Sequence, residues 1–233
     1  DYLSRIVNVG IQQGGVESGL PRAMRQTTMD HVGLFLTAEE KEQVLAAYRK
    51  VDQTSPDYAS LVKTYPVLAQ EPIYVLSVGD EALVKIIELP VAEGLLITAG
   101  IEQVLENPQQ AQTLMPGMSF DLSRLPAGVD VFTLLNNLPP AQRDEIRGAV
   151  AQRFETMGGE RALLQAAARL VKNEYEALGM DTAQLQSGYI LRVGGQMLLI
   201  SLLSAVAIIL VGFLASLYPA WRAARTNPVE VIR

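Results

Sequence analysis

The strongest constraint in this sequence is an uncharged, apolar run near its C-terminal end. Over 29 residues, from Val193 to Trp221, the run VGGQMLLISLLSAVAIILVGFLASLYPAW contains no Asp, Glu, Lys, Arg or His. A helix needs about 20 apolar residues to cross the hydrocarbon core of a bilayer. A helix that is apolar on every side has to be buried in a large protein core or in lipid. In a chain of 233 residues, the run predicts a membrane-spanning helix.

The charges on the two sides of this run predict an orientation. Arg192 precedes the run, and Trp221, Arg222 and Arg225 end it or follow it. Residues 1–192 carry a net charge of −8, whereas the chain beyond the span carries +2. Because Lys and Arg near a span accumulate on the cytoplasmic side, we expect a cytoplasmic tail and an extracytoplasmic bulk. The chain starts with no apolar signal segment, so we expect it to be a fragment whose preceding segment is missing.

Helical patterns dominate the rest of the sequence. Thr37 and Glu40 have the spacing of a capping box, and the helix expected after them places Val44, Leu45, Tyr48 and Val51 on one inner face. Pro21 is expected to open a further helix, through RAMRQTTMDHVGLFL. Two more helices are predicted over residues 140–157 and 160–178, separated by a pair of glycines, and Gly179 is placed as a helix C-terminal glycine. Only Ile73–Leu76 has the composition of a strand, and its shortness also allows an extended linker.

The predicted fold class is therefore mainly α. We expect a helical extracytoplasmic domain over residues 1–186, one transmembrane helix over residues 187–220 and a short cytoplasmic tail over residues 221–233.

Composition argues against several classes of function. The net charge of −6 is unsuited to nucleic acid, which attracts clustered Lys and Arg. Cysteine is absent and His31 is the single histidine, so a Ser–His pair or a His-rich zinc site has little to be built from. The phosphate-binding pattern G-x-x-x-x-G-K-S/T is absent as well. We therefore expect no enzyme activity, no metal and no cofactor in this chain, with His31 in a structural role.

Small residues recur along one face of the predicted span. Ser201, Ala205, Gly212 and Ala215 follow one another at multiples of three and four residues, with Ile208 completing the stripe. Small residues let helix backbones approach closely in lipid, so the stripe predicts packing against other transmembrane helices. The alternative is that the stripe reflects only the ordinary abundance of Ala, Ser and Gly in membrane helices.

The tail, residues 221–233, has two possible interpretations. Trp221, Arg222 and Arg225 make a basic turn suited to the membrane interface, and Pro228 breaks the helix after them. The tail could dock an ATPase subunit, or it could be an anchor whose arginines extend to the lipid headgroups.

Long stretches of the chain resemble a known class of transporter. They are DYLSRIVNVGIQQGGVESGLPRAMRQTTMD at the start, EPIYVL at 71–76, FDLSRLPAG at 120–128 and NEYEALGMDTAQLQSGYILRVGGQMLL at 173–199. Together they make residues 1–216 similar to the outer insert and following helix of fused multidrug-type ATP-binding-cassette (ABC) exporters of bacteria. In that family a first membrane helix ends just before the DY-x-SRIVNVGIQ words, and GYILRVGG leads into the second membrane helix.

The last residues resemble a different ABC class. LYPAWRAARTNPVEVIR, at 217–233, is similar to the C-terminus of FtsX-like permeases of macrolide export and lipoprotein release. The chain is therefore expected to be a fragment such as a truncated gene, a chimera or a designed sequence. Both resemblances imply the permease portion of an exporter in the bacterial cytoplasmic membrane, with lipid, other transmembrane helices and an ABC ATPase domain as partners and ATP bound on that ATPase. The alternative function is a single-pass, membrane-anchored extracytoplasmic binding domain without transport.

Overall fold

Helices make up most of the chain in the computed structural model, which describes residues 2–77, 79–106 and 130–225. The mainly α fold class is thus confirmed. The stretch FDLSRLPAG and Pro228, both singled out from the sequence, lie outside the described residues. The helices are α1 (Tyr2–Arg5, continued by a π-helical segment over Ile6–Gln12), α2 (Gln26–Val32), α3 (Ala38–Ala47), α4 (Tyr58–Thr64, followed by a 3-10 turn over Pro66–Ala69), α5 (Glu81–Glu106), α6 (Val131–Asn136), α7 (Pro140–Met157), α8 (Gly159–Ala177) and α9 (Thr182–Arg225).

A small antiparallel sheet accompanies the helices. Its strands are β1 (Ala23–Arg25), β2 (Tyr48–Val51) and β3 (Ile73–Leu76), in the order β1-β3-β2. The central strand is the segment that sequence alone left open between strand and linker. Tyr74 pairs with Met24 on one side and with Lys50 on the other.

The two edge strands correct the sequence prediction. Residues 23–25 were expected inside a helix, and Tyr48 and Val51 were expected on the face of α3, which ends at Ala47. In β2 the buried residues are the first and the last, and the two between them are exposed. A buried pair three residues apart has helical spacing, so a period count assigns this short strand to a helix.

Several helix ends follow local sequence signals. Thr37 and Glu40 form the predicted capping box, in which each residue's side chain accepts a hydrogen bond from the other's backbone N–H. At the end of α8, Gly179 has φ +82°, and the N–H groups of Gly179 and Met180 donate to the carbonyls of Glu176 and Tyr175. This pair of bonds is a Schellman motif, which stops α8 and turns the chain into α9.

The main core lies between the sheet, α3, α5 and α8. Its side chains are almost completely removed from solvent, and those from α8 repeat every three to four residues as the sequence predicts. Fully buried members of this core are Met24, Val32, Val44, Val51, Ile73, Ile87, Val91, Val171 and Leu178.

Arg147 joins α7 to this core by charge. Its guanidinium donates to Glu93 of α5 at 2.6 Å and to both carboxylate oxygens of Glu40 at 2.6 and 2.8 Å. Partial burial by itself would raise the pKa of Glu40, but the hydrogen bonds from Arg147 and from the Thr37 backbone outweigh it and hold that pKa below its ordinary value. The interaction thus stabilises the fold at neutral pH, and its contribution is lost as the pH falls through the lowered pKa.

A second polar cluster connects α8 to the sheet. Glu174, only 5% exposed, accepts hydrogen bonds from the backbone N–H of Arg25 at 2.7 Å, from the Arg25 guanidinium at 2.8 Å and from the Thr28 hydroxyl at 2.9 Å. A buried carboxylate needs such partners, because removal from water penalises its charged form. Glu174 therefore fixes α8, and with it the start of α9, against β1 and α2.

Replacing Glu174 by Ala is expected to destabilise the fold by about 2–4 kcal/mol, because it leaves a partly buried guanidinium and a backbone N–H without an acceptor. The measurement is urea denaturation of the detergent-solubilised chain, followed by near-ultraviolet circular dichroism of the tyrosines. The control is Glu176→Ala on the same helix, whose ion pair with Lys172 is exposed and should contribute less than about 1 kcal/mol. Equal midpoints for the two variants would contradict the assignment.

Candidate functional site

The apolar run forms one exposed helix. α9 extends over 44 residues, and every side chain from Gly195 to Pro219 is exposed to solvent. The helix is long and apolar enough to cross a membrane over Thr182–Pro219, with a mean hydropathy of 2.8 and none of the most apolar window buried. The apolar part from 195 to 219 measures about 37 Å at 1.5 Å per residue, against about 30 Å for a hydrocarbon core. A soluble core helix would be covered by protein, and no described residue covers this one.

The predicted interfacial residues lie on the same helix. Tyr218 and Trp221 are 67% and 55% exposed, and Arg222 follows them in the helix. α9 continues through the predicted domain boundary at residue 220 as far as Arg225. Trp221, Arg222 and Arg225 are thus in the last turns of the helix, and their proposed contact with an ATPase stays a prediction.

The stripe of small residues is open along its length. Ser201, Ala205, Gly212 and Ala215 lie on one face of α9, and all four are exposed. A Cβ added at Gly212 would meet no atom within 4 Å. A helix could therefore approach this face closely, and the packing role of the stripe remains a prediction.

The base of α9 packs against α1. Tyr189 and Val193 are 8% and 1% exposed, and a Cβ built on Gly10 would come within 2.9 Å of the Ile190 side chain. Five residues later in the chain, Gly15 lies against the backbone of Gln186, four residues earlier in α9. The two segments therefore run antiparallel, with Gly10 and Gly15 at their contact.

The conformational freedom of two glycines makes the turn after α1 possible. Gly14 and Gly15 have φ values of +64° and +86°, a region that residues with a Cβ rarely adopt, and they turn the chain from α1 toward β1. The direction of α1 then brings residue 2 down along α9 toward the apolar run. Both described ends of the domain consequently leave it on one side, next to each other. We call this α1–α9 pair the stem.

A cavity of roughly 830 Å³ opens beside the stem. It lies between the segment that links α1 to β1, the end of α4 and the turn from α8 into α9. Tyr65, Tyr175 and Tyr189 contribute its aromatic lining, and Arg22, Lys63 and Arg192 contribute positive charge. Burial raises the pKa of Tyr65 and of Tyr175, so both phenols are neutral at physiological pH. We call this cavity the stem groove.

His31 has structural neighbours. Its ring stacks on Phe132 with the centroids 3.5 Å apart, and its Nδ1 atom lies 3.8 Å from the Glu102 carboxylate. Within the described part of the chain, no group of three or more His, Cys, Asp or Glu side chains could hold a metal ion.

Sequence reasoning identified α9 but not the stem or its groove. In the sequence Arg192 is distinguished only as a flank of the apolar run, and no pattern marks Arg22 or Lys63. Gly10 lies in a helical pattern where a glycine is unfavourable by about 1 kcal/mol, and this local cost was the available signal of a close contact.

Replacing Gly10 by Leu is expected to separate α1 from α9, because the added side chain collides with Ile190. Overpacking of this kind costs about 1–3 kcal/mol, so amide hydrogen exchange over residues 2–12 should become faster by about tenfold or more. Gly148→Leu in α7 is the matched control, since a Cβ there meets no atom within 4 Å. Unchanged exchange over residues 2–12 in Gly10→Leu would refute the stem.

Comparison with known proteins identifies no relative of this chain. No family model, no curated protein and no solved structure matches the chain.

Proposed function

We propose that this chain is the permease portion of an ABC-type exporter in the bacterial cytoplasmic membrane. The observation that carries the proposal is α9, an apolar helix that continues directly from a folded helical domain and is uncovered from Gly195 to Pro219. Water does not favour such a surface, and lipid or neighbouring transmembrane helices do. In this proposal ATP is hydrolysed on a separate or missing ATPase domain, which Trp221, Arg222, Arg225 and Pro228 contact.

The stem supports an insert-like placement of the domain. In the multidrug-type exporters that residues 1–216 resemble, an outer segment is entered from one membrane helix and left through the next. α1 runs antiparallel to the base of α9, so a membrane helix leading into α1 would lie beside α9. This is the arrangement that an outer segment between two neighbouring spans requires.

A second candidate function is a single-pass, membrane-anchored extracytoplasmic binding domain. It is favoured by one observation: within the described residues, the side chains of α9 from 195 to 219 are all exposed. The two candidates share the membrane and the orientation, and they differ in whether the small-residue face of α9 has a helix partner.

Cysteine labelling tests the membrane orientation. The chain has no cysteine, so single cysteines at Glu42 and Asn227 can be labelled with a membrane-impermeant maleimide, in a background without other cysteines and expressed from the complete gene. We expect Glu42→Cys, on the exposed surface of α3, to react in intact cells and Asn227→Cys to react only after permeabilisation. The reverse pattern would overturn the orientation, and reaction of both in a soluble fraction would overturn the membrane assignment.

Bulky substitutions separate the two candidate functions. The double variant Ala205→Leu and Gly212→Leu fills the small-residue face, whereas Leu203→Phe and Leu210→Phe enlarge the opposite face as a matched control. For a packed permease helix we expect the first variant to lose association with the other membrane helices, by tenfold or more in cross-linking yield, and the second to keep it. Equal association in both variants would favour the membrane anchor.

A further inference from the structure

We infer that the stem groove binds the phosphate-bearing headgroup of an anionic phospholipid in the outer leaflet. The inference rests on the proposed membrane position of α9 and extends it to a specific lipid contact. It is carried by the position of the groove, by its unpaired positive charges and by its aromatic lining.

The groove lies where lipid headgroups would be. Gly188, Tyr189 and Arg192 of α9 line it, and the apolar run starts at the next residue, Val193. A helix rises 1.5 Å per residue, so the side chain of Arg192 leaves the helix within a few ångströms of the expected hydrocarbon boundary. A lipid whose headgroup occupied the groove would extend its acyl chains along α9.

The charge balance of the groove favours an anion. Arg22, Lys63 and Arg192 are exposed, and none of them forms an ion pair with another described residue. Two carboxylates, those of Glu17 and Asp181, also line the groove. Glu17 is paired with Arg5 at 2.7 Å, and Asp181 accepts the backbone N–H of Gln184 at 3.0 Å. Arg5 neutralises Glu17, whereas the backbone hydrogen bond leaves Asp181 its charge. The groove therefore has three cations against one carboxylate, a balance that still favours an anion, and phosphate oxygens are suited to such groups.

The walls of the groove are preformed. The Tyr175 hydroxyl accepts the backbone N–H of Arg22 at 2.9 Å, which fixes this tyrosine against the segment that carries the cation. Gly179, with φ +82°, packs against Pro66 and holds the turn into α9 next to the end of α4. The volume of roughly 830 Å³ is within the range of small-molecule sites, about 300–1,000 Å³. Tyrosine rings supply the amphipathic surface that suits the membrane interface.

The test compares lipid binding to two triple variants of the full chain. The groove variant carries Arg22→Gln, Lys63→Gln and Arg192→Gln. The control carries Lys50→Gln, Lys85→Gln and Arg169→Gln, which removes the same charge from exposed positions outside the groove. Titration with phosphatidylglycerol and with phosphatidylcholine, read by native mass spectrometry, gives the affinity for each lipid.

We expect the unmodified chain to bind phosphatidylglycerol at least fivefold more tightly than phosphatidylcholine. The groove variant should lose that preference, and the control should keep it. Competition with inorganic phosphate distinguishes a lipid headgroup from free phosphate as the ligand. If the groove binds the lipid, millimolar phosphate should leave the phosphatidylglycerol complex largely intact. Full displacement by phosphate alone, equal losses in the two variants, or no lipid preference would each overturn the inference.

Failure of this inference can be told from failure of the proposed function. Resistance of both variants to carbonate extraction reports membrane insertion of α9 and does not depend on the groove. Chains that stay in the membrane without a lipid preference refute the lipid site alone, whereas chains released by carbonate refute the membrane position on which it rests. Hydrogen exchange over α8 checks that the groove variant is folded. If the triple variant does not fold, Arg192→Gln alone replaces it, and a smaller loss of the preference for phosphatidylglycerol is expected.

Discussion

Water cannot favourably solvate the surface of α9, and the rest of the structure has to be understood from that constraint. A folded domain with a well-packed core of its own leaves a helix of about 25 apolar residues without any cover. Burial of apolar surface is worth about 25 cal/mol per Å², so an exposed surface of this size requires another apolar environment. Lipid supplies that environment in the proposed function, and the domain stays in water there because it buries an apolar core of its own.

The transition between these two environments is built from short-range chemistry. A Schellman motif ends α8, and the buried carboxylate of Glu174 fixes that helix to the sheet. Asp181 then caps the start of α9, and α1 covers the first turns of α9 through a close contact between Gly10 and the Ile190 side chain. Each of these interactions is small, but together they determine the direction in which α9 leaves the domain.

How much the sequence predicted depended on whether the signal was local. Three features could be predicted from the sequence, because each depends on neighbours within a few residues: the capping box at Thr37, the end of α8 at Gly179 and the long apolar run. The edge strands could not be predicted from the sequence, since β1 and β2 are strands only through their pairing with Ile73–Leu76. The stem groove could not be predicted from the sequence for the same reason. Arg22, Lys63 and Arg192 are far apart in the chain, and only the fold brings them together.

The continuity of α9 has a mechanical consequence. No break separates its first turns, which are packed into the domain, from its last turns near Trp221, and 44 residues correspond to a rod of about 66 Å. From Ile190 at the stem to Arg225 the helix measures about 52 Å, so a tilt of about 5° at the stem would move the far end by about 5 Å, apart from any bend at Pro219. In the proposed membrane position α9 would act as a lever, so that a contact made by the domain on one side of the bilayer would displace the helix end on the other.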